Sequence, residues 1–193
     1  MLNPTFTKIS QLTIIDDYIA PKDISHSTKH GNFDMQTGKE YRLQKIFGNE
    51  VWMKLERAGL TPETLNGKDI LEVCAGTGFL TYHLLQRCKP KKLTINDISA
   101  SELNEAKKLI TSLHSSAKIE WMLGDMHTIG VNKLFDIIVG NSFMHHFHNV
   151  PQLLSSVSSM LKPGGVFISL HEPTPMSTVV EGGKLYAWPL TIF

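Results

Sequence analysis

The sequence predicts an α/β fold: a doubly wound parallel sheet in three layers, α/β/α. Two observations carry this. From Asp69 to Leu170 short apolar runs alternate with helix-like segments five times, and such alternation builds a parallel sheet with helices on both faces. The runs are almost wholly apolar, as expected for strands covered on both sides. The bulk properties suit one globular domain: 193 residues, 41% hydrophobic, 19% charged, formal net charge +1. A charge so near zero gives no broad basic field for nucleic acid or anionic lipid.

Taken in order, the chain opens with a polar, irregular stretch to about Asp34, interrupted by Pro4 and Pro21. Residues 1–36 read either as a lid, with Tyr18, His26, His30 and Phe33 facing a pocket, or as a disordered arm. Tyr41, Leu43, Ile46, Phe47, Val51, Leu55 and Ala58 then recur at helical spacing, and Gly59 stands where such a helix stops. The stripe formed by Tyr41, Phe47 and Trp52 reads as core packing rather than a cofactor box. Thr61-Pro62 starts a new local feature, and Asn66-Gly67 is a turn signal.

Strands are expected at Asp69–Cys74, Leu93–Asn96, Ile119–Leu123, Phe135–Gly140 and Val166–Leu170. Helices are expected at Phe79–Arg87, from Ser99 to about His114, and at Pro151–Leu161. Ser99 with Glu102 fits a capping box, Glu102 reaching back to the Ser99 amide. Pro163-Gly164-Gly165 is expected to stop the last helix. Residues 37–172 form the core on this reading, and residues 173–193 a C-terminal segment rich in proline and glycine.

The two cysteines, Cys74 and Cys88, make no CxxC pair, so neither a disulfide framework nor a structural zinc site is expected. The N-terminus shows no basic region followed by an apolar stretch, and no apolar run approaches the length of a membrane span. The expectation is a soluble, cytoplasmic protein without a membrane span.

In this architecture ligands bind beyond the C-terminal ends of the strands, and those ends carry a pattern. The first strand runs into Ala75-Gly76-Thr77-Gly78, where glycines permit a tight turn and close approach of a ligand to the backbone. The second ends in Asp97, which can accept from both hydroxyls of a ribose or interact with the dipole of the Ser99 helix. The third is followed by Gly124-Asp125-Met126, where a carboxylate can accept from an adenine amino group or form an Asx turn. The fourth leads into Gly140-Asn141-Ser142.

These motifs, in this order, resemble a class I S-adenosylmethionine-dependent methyltransferase with a Rossmann-like fold. The likeness runs through Ile70–Gly78, Leu93–Ser99, Gly124–Met126, Phe135–Asn141 and Leu161–Gly165, and covers roughly residues 37–172. It is nearest to the small-molecule and lipid branch, in which a His-His pair such as His145-His146 follows the fourth strand. The resemblance implies S-adenosylmethionine as cofactor, S-adenosylhomocysteine as product, and a small-molecule or lipid-like acceptor with no nucleic-acid partner. It implies that Ala75, Gly76 and Gly78 let the amino-acid end and sulfur of the cofactor approach, and that Glu72 organises the turn and helps hold the amino-acid group through a water. Asp97 would bind the ribose, Ile98 pack on the adenine, Asp125 and Met126 receive the adenine edge, and Asn141 and Ser142 lie near the methionine end.

The chain departs from the family pattern in two places. Cys74 stands where the motif usually has glycine, and its small apolar side chain is expected to point into the core. The family's sheet normally adds a sixth strand and an antiparallel seventh. The residues after Glu172 are too few and too rich in proline and glycine to supply them, so the sequence reads as a fragment of a longer chain.

Methyl transfer from a sulfonium is an in-line displacement in which the protein mainly supplies alignment; a base matters when the acceptor is a hydroxyl or a protonated amine. His145 and His146 are the first candidates, with His148, His171 and Glu172 behind them; the alternative is that the histidines cap their loop. His145, His146 and His148 sit too close together for a three-histidine metal site without a carboxylate. Two other functions compete. A nicotinamide-dependent oxidoreductase needs G-x-G-x-x-G, which Gly76-Thr77-Gly78-Phe79-Leu80-Thr81 breaks at its last position. A non-catalytic binding protein on the same fold is disfavoured by the intact Glu72, Gly76, Gly78, Asp97 and Asp125. Ser142-Phe143 lacks the prolines that follow the fourth-strand Asn in methyltransferases of nucleic-acid amines.

Overall fold

A computed structural model describes residues 45–113, 117–129, 133–147 and 149–171. The arm at 1–36 with Tyr18, His26, His30 and Phe33, the stripe residues Tyr41 and Leu43, His114, His148, Glu172 and the segment 173–193 lie outside the described residues, as do the side chains of Ile46, Phe47 and His145.

The described chain runs α1 (Lys45–Arg57), α2 (Pro62–Leu65), β1 (Asp69–Val73), α3 (Phe79–Arg87), β2 (Lys92–Asp97) and α4 (Ala100–Thr111). It continues through β3 (Lys118–Leu123), α5 (Met126–Ile129), β4 (Phe135–Asn141), a 3-10 turn (Met144–His146), α6 (Val150–Met160) and β5 (Leu161–Leu170). All neighbouring strands are parallel, in the order β3-β2-β1-β4-β5. The strand order reverses between β1 and β4, so the switch point lies at the ends of those strands.

The alternation of side chains along each strand splits the core into two layers. Ile70, Ile95, Ile137, Val139 and Ile168 join Val51, Trp52 and Leu55 of α1, Leu80 and Leu84 of α3 and Leu103 of α4 on one face. Leu71, Val73, Ile138 and Phe167 join Leu153, Leu154, Val157 and Met160 of α6 on the other. This is the three-layer α/β/α arrangement expected. Trp52 is buried, and its indole Nε1 donates to the His83 carbonyl at 3.1 Å, so it belongs to the core. Cys88 caps α3, and burial pushes its thiol up to about 12.

The last strand differs from its expected extent. β5 begins at Leu161 rather than Val166, because Leu161 pairs with Phe135 before Pro163-Gly164-Gly165 is reached. The register then jumps so that Val166 meets Ile137, and Gly164 takes φ +79° within the irregularity. The Pro-Gly-Gly run therefore forms a bulge inside the strand, and α6 has already ended at Met160. At this N-terminal end of the sheet Lys162 Nζ bridges Asp69 at 2.8 Å and Asp136 at 2.9 Å.

Candidate functional site

The turn after β1 is built on left-handed backbone. Cys74, Gly76 and Gly78 have φ of +51°, +55° and +80°. Glycine adopts this conformation without steric cost, whereas Cys74 holds it against the preference of an L-residue. That is the physical content of the glycine usual at this position. The Cys74 side chain packs against the layer of Leu71, Val73 and Phe143, as expected. Among the described residues a Cβ on Gly76 would meet only Glu102 Oε2, at 3.9 Å, so they leave room for a ligand at that backbone. A Cβ on Gly78 would lie 2.8 Å from Ala106 Cβ, so this second glycine serves the packing of α3 on α4. Ala75 is buried in the core, and its amide donates to the Asn96 carbonyl at 2.9 Å.

Glu72 lies beneath this turn, 1% exposed, and accepts from the Thr81 hydroxyl. Burial pushes its carboxyl up to about 8, and the nearby Asp97 charge adds to the rise, while hydrogen bonds from Thr81 oppose it. It holds β1 to α3 from below.

Asp97 joins three pieces of the site. Its Oδ2 accepts from the Gly76 amide at 2.8 Å and its Oδ1 from the Ser99 amide at 2.8 Å. Burial raises its carboxyl above the ordinary value, and bonds from the Ser99, Gly76 and Ile98 amides work the other way. A carboxylate offers about four acceptor positions, so these amides still leave it capacity to accept from a ligand hydroxyl. The same bonds correct the expected capping box. The Ser99 hydroxyl does accept from the Glu102 amide, at 3.3 Å, but the Ser99 amide goes to Asp97 and not to Glu102. The nearer carboxylate, two residues back in the chain, takes that donor. Ile98 is half-buried beside it.

Asn96 was not anticipated as a site residue. It is 1% exposed, and its Nδ2 donates to the carbonyls of Met122 at 3.0 Å and Gly124 at 2.8 Å. It thereby fixes the end of β3 and the turn that presents Asp125. The available signal was a carboxamide within an apolar strand, since a buried amide needs partners. Asp125 is exposed and accepts from the His127 amide at 2.9 Å. Met126 is 2% exposed and sits in the core layer, so only its backbone faces the question of ligand contact.

At the switch point Asn141 ends β4, half-buried, with Ser142 at φ +53° and its amide donating to the Leu170 carbonyl at 2.6 Å. Asn141 Oδ1 stands 2.6 Å from His171 Nδ1, and His171 Nε2 stands 3.0 Å from Glu50 Oε1. Glu50 of α1 is a second residue that sequence reading missed; nothing local announces a partner 121 positions away. His146 follows in the 3-10 turn, half-buried, its amide donating to the Phe143 carbonyl at 3.0 Å. That turn is pinned by aromatic side chains: Phe143, 1% exposed, meets Phe147 and Phe167 edge-on at 6.0 and 6.2 Å. Among the described residues no group of three or more metal-ligating side chains could hold an ion.

Known proteins resemble this chain in sequence and fold. The family described as "Methyltransferase domain" matches residues 70–165. The chain is 31% identical over 151 residues to the malonyl-[acyl-carrier protein] O-methyltransferase of Haemophilus ducreyi, an alignment covering 78% of this chain and 54% of that protein. It is 24% identical over 147 residues to the ubiquinone/menaquinone biosynthesis C-methyltransferase UbiE of Cereibacter sphaeroides, covering 74% and 55%. The fold is also that of a solved S-adenosylmethionine-dependent methyltransferase from Clostridium acetobutylicum, with TM-score 0.54 and 24% identity over 73% of this chain and 56% of that one. Fold and family match together relate the chain to the class I S-adenosylmethionine-dependent methyltransferases. The chain spans 34% of one curated relative and 55% of another.

Proposed function

We propose that the chain binds S-adenosylmethionine across the C-terminal ends of β1, β2, β3 and β4 and transfers its methyl group to a small-molecule or lipid-like acceptor. The observation that carries this reading is Asp97: one carboxylate gathers the amides of Gly76 and Ser99, so the open-sided glycine turn and the ribose-type acid form one rigid unit. On this reading the residues of the core, about 37–172, hold the cofactor. Asp97 receives the ribose hydroxyls, Ile98 lies on the adenine, and Asp125 with the Met126 amide meets the adenine edge. Ala75, Gly76 and Gly78 bring the backbone close to the amino-acid end, which Asn141 and Ser142 also border. Glu72 acts through the turn rather than by contact.

The cofactor, when bound, supplies a methyl group on a sulfonium leaving group. The protein's share is alignment of the acceptor in line with that bond and exclusion of water. His145 or His146 would take a proton from a hydroxyl or ammonium acceptor, standing in the turn that follows β4. The curated relatives include proteins named for O- and C-methylation, which favours an acceptor other than nucleic acid. Among the described residues no helix is long and apolar enough to cross a membrane, and a cytoplasmic location completes the reading. Calorimetric titration with S-adenosylhomocysteine, with NADH as control, tests it. Saturable binding of S-adenosylhomocysteine alone is expected; binding of NADH alone would replace the reading with a nicotinamide enzyme, and binding of neither would favour a non-catalytic platform.

A further inference from the structure

The contact between α1 and the switch point goes beyond cofactor recognition. Glu50, His171 and Asn141 form a chain across three elements, and Lys54 Nζ closes its outer end on Glu50 Oε1 at 2.9 Å. The backbone is bent to make it: Ser142 and His171, at the ends of neighbouring strands, take φ of +53° and +54°. A non-glycine residue persists there only when its surroundings hold it, and such residues cluster at functional sites. Val73 is in register with Gly140, so the Asn141 backbone continues alongside the glycine turn.

The chemistry of the chain has a direction. An ionised carboxylate only accepts, so Glu50 requires a proton on His171 Nε2. The other ring nitrogen then decides the amide. Asn141 Oδ1 stands 2.6 Å from Nδ1; an amide oxygen accepts, so this pairing needs a second proton, on Nδ1. A ring so protonated would be an imidazolium between two acceptors, with the Asn141 NH2 group turned away from it. Without the Glu50 charge the ring favours the neutral form, whose bare nitrogen would draw the NH2 group towards itself and turn the oxygen outward.

We propose that Glu50, acting through His171, sets which end of the Asn141 amide is presented to the cofactor's methionine portion. Glu50 and His171 are positioning residues, and the amide NH2 of Asn141 is the group they aim. A donor pair there suits the carboxylate end of an amino acid. The inference rests on the cofactor reading above.

The test is a double-mutant cycle on the full chain, read by S-adenosylhomocysteine titration, with Glu50→Gln, His171→Ala and the double variant. Gln keeps an acceptor for Nε2, so the tie between α1 and β5 survives while the charge is lost. Each single variant is expected to weaken binding by about tenfold, and Glu50→Gln to add nothing once His171 is absent, as for residues acting as one unit. Glu50→Asp should recover most of the loss. Losses that multiply in the double variant, or single variants that bind like the unmodified chain, would overturn the inference while leaving the cofactor reading intact. Failure of the unmodified chain to bind would remove both. A ligand-free readout guards against a variant that does not fold: nitrogen NMR of the imidazole should show both ring nitrogens protonated at neutral pH in the unmodified chain, and a neutral ring would overturn the inference.

Discussion

Asp97 and Glu72 are both buried carboxyls, yet they do different work. Asp97 is 6% exposed and its oxygens are directed by backbone amides. Replacing it with alanine removes the acceptors for Gly76 and Ser99 as well as those proposed for a ribose. Asp97→Ala is expected to weaken S-adenosylhomocysteine binding by at least about tenfold, the worth of roughly one charge-assisted hydrogen bond, while circular dichroism still reports the fold. Unchanged affinity in a folded variant would remove the ribose assignment. Glu72 is a stability group. Burial disfavours the charge and pushes its folded carboxyl up to about 8 from the ordinary 4.5. The folded state therefore holds a proton that the unfolded chain releases between those values. Stability is full below about pH 4.5, falls as pH rises towards 8, and is level above it. Glu72→Gln keeps the shape without the charge, so urea denaturation of the variant should show a flatter pH profile across this window. The loss it abolishes is on the order of a few kcal/mol.

At the level of elements, two roles of glycine can be separated by comparing the turns on either side of β1. Gly67 and Gly78 both have positive φ, +70° and +80°, but among the described residues a Cβ on Gly67 meets nothing within 4 Å whereas one on Gly78 strikes Ala106 of α4. Gly67→Ala is expected to cost about 1 kcal/mol from backbone conformation alone. Gly78→Ala should cost about 2–4 kcal/mol, because the clash between α3 and α4 adds to the same conformational term. Thermal denaturation of both variants gives the comparison; equal losses would mean that α4 shifts freely and that the close approach is not required. Much at this scale was legible in sequence. Apolar runs bounded by turn residues placed β1 to β4 within one or two residues, because strands buried on both faces need little else. The place of Asp97 beside the glycine turn was legible, because an acid ending an apolar strand stands at the C-terminal edge of a parallel sheet. β5 was misjudged because a Pro-Gly-Gly turn reads as a break, and only pairing with Phe135 shows that it bulges within a strand. The Glu50–His171–Asn141 chain was illegible because it depends on three elements meeting. The positive φ of Ser142 and His171 leaves no mark in residue type, whereas that of Cys74 did, through the glycine it replaces.

For the molecule as a whole, the proposed ligand touches the ends of strands that are otherwise joined only side by side. The order β3-β2-β1-β4-β5 puts β1 at the centre, with the Asp97 acid on one neighbour and Asn141 on the other. A molecule contacting all of these bridges the two wound halves, and it binds only when both are assembled. The folded state must then be stabilised by mass action: at S-adenosylhomocysteine about a hundredfold above its dissociation constant, by about 2.7 kcal/mol. For a core of this size that corresponds to a rise in melting temperature of roughly 10 °C, whereas the same concentration of NADH should give none. Asp97→Ala, compared with its own ligand-free melting point, should lose about half of the rise or more at that ligand concentration. The two halves add a sharper requirement. If the ligand contacted only the β1–β2 half, hydrogen exchange would slow there and leave β4 and β5 unchanged. Protection is expected instead on both sides of β1, including the amides of Ser142 and His146. Slowing confined to β1 and β2 would place the ligand away from the switch point and sever Asn141 from the site.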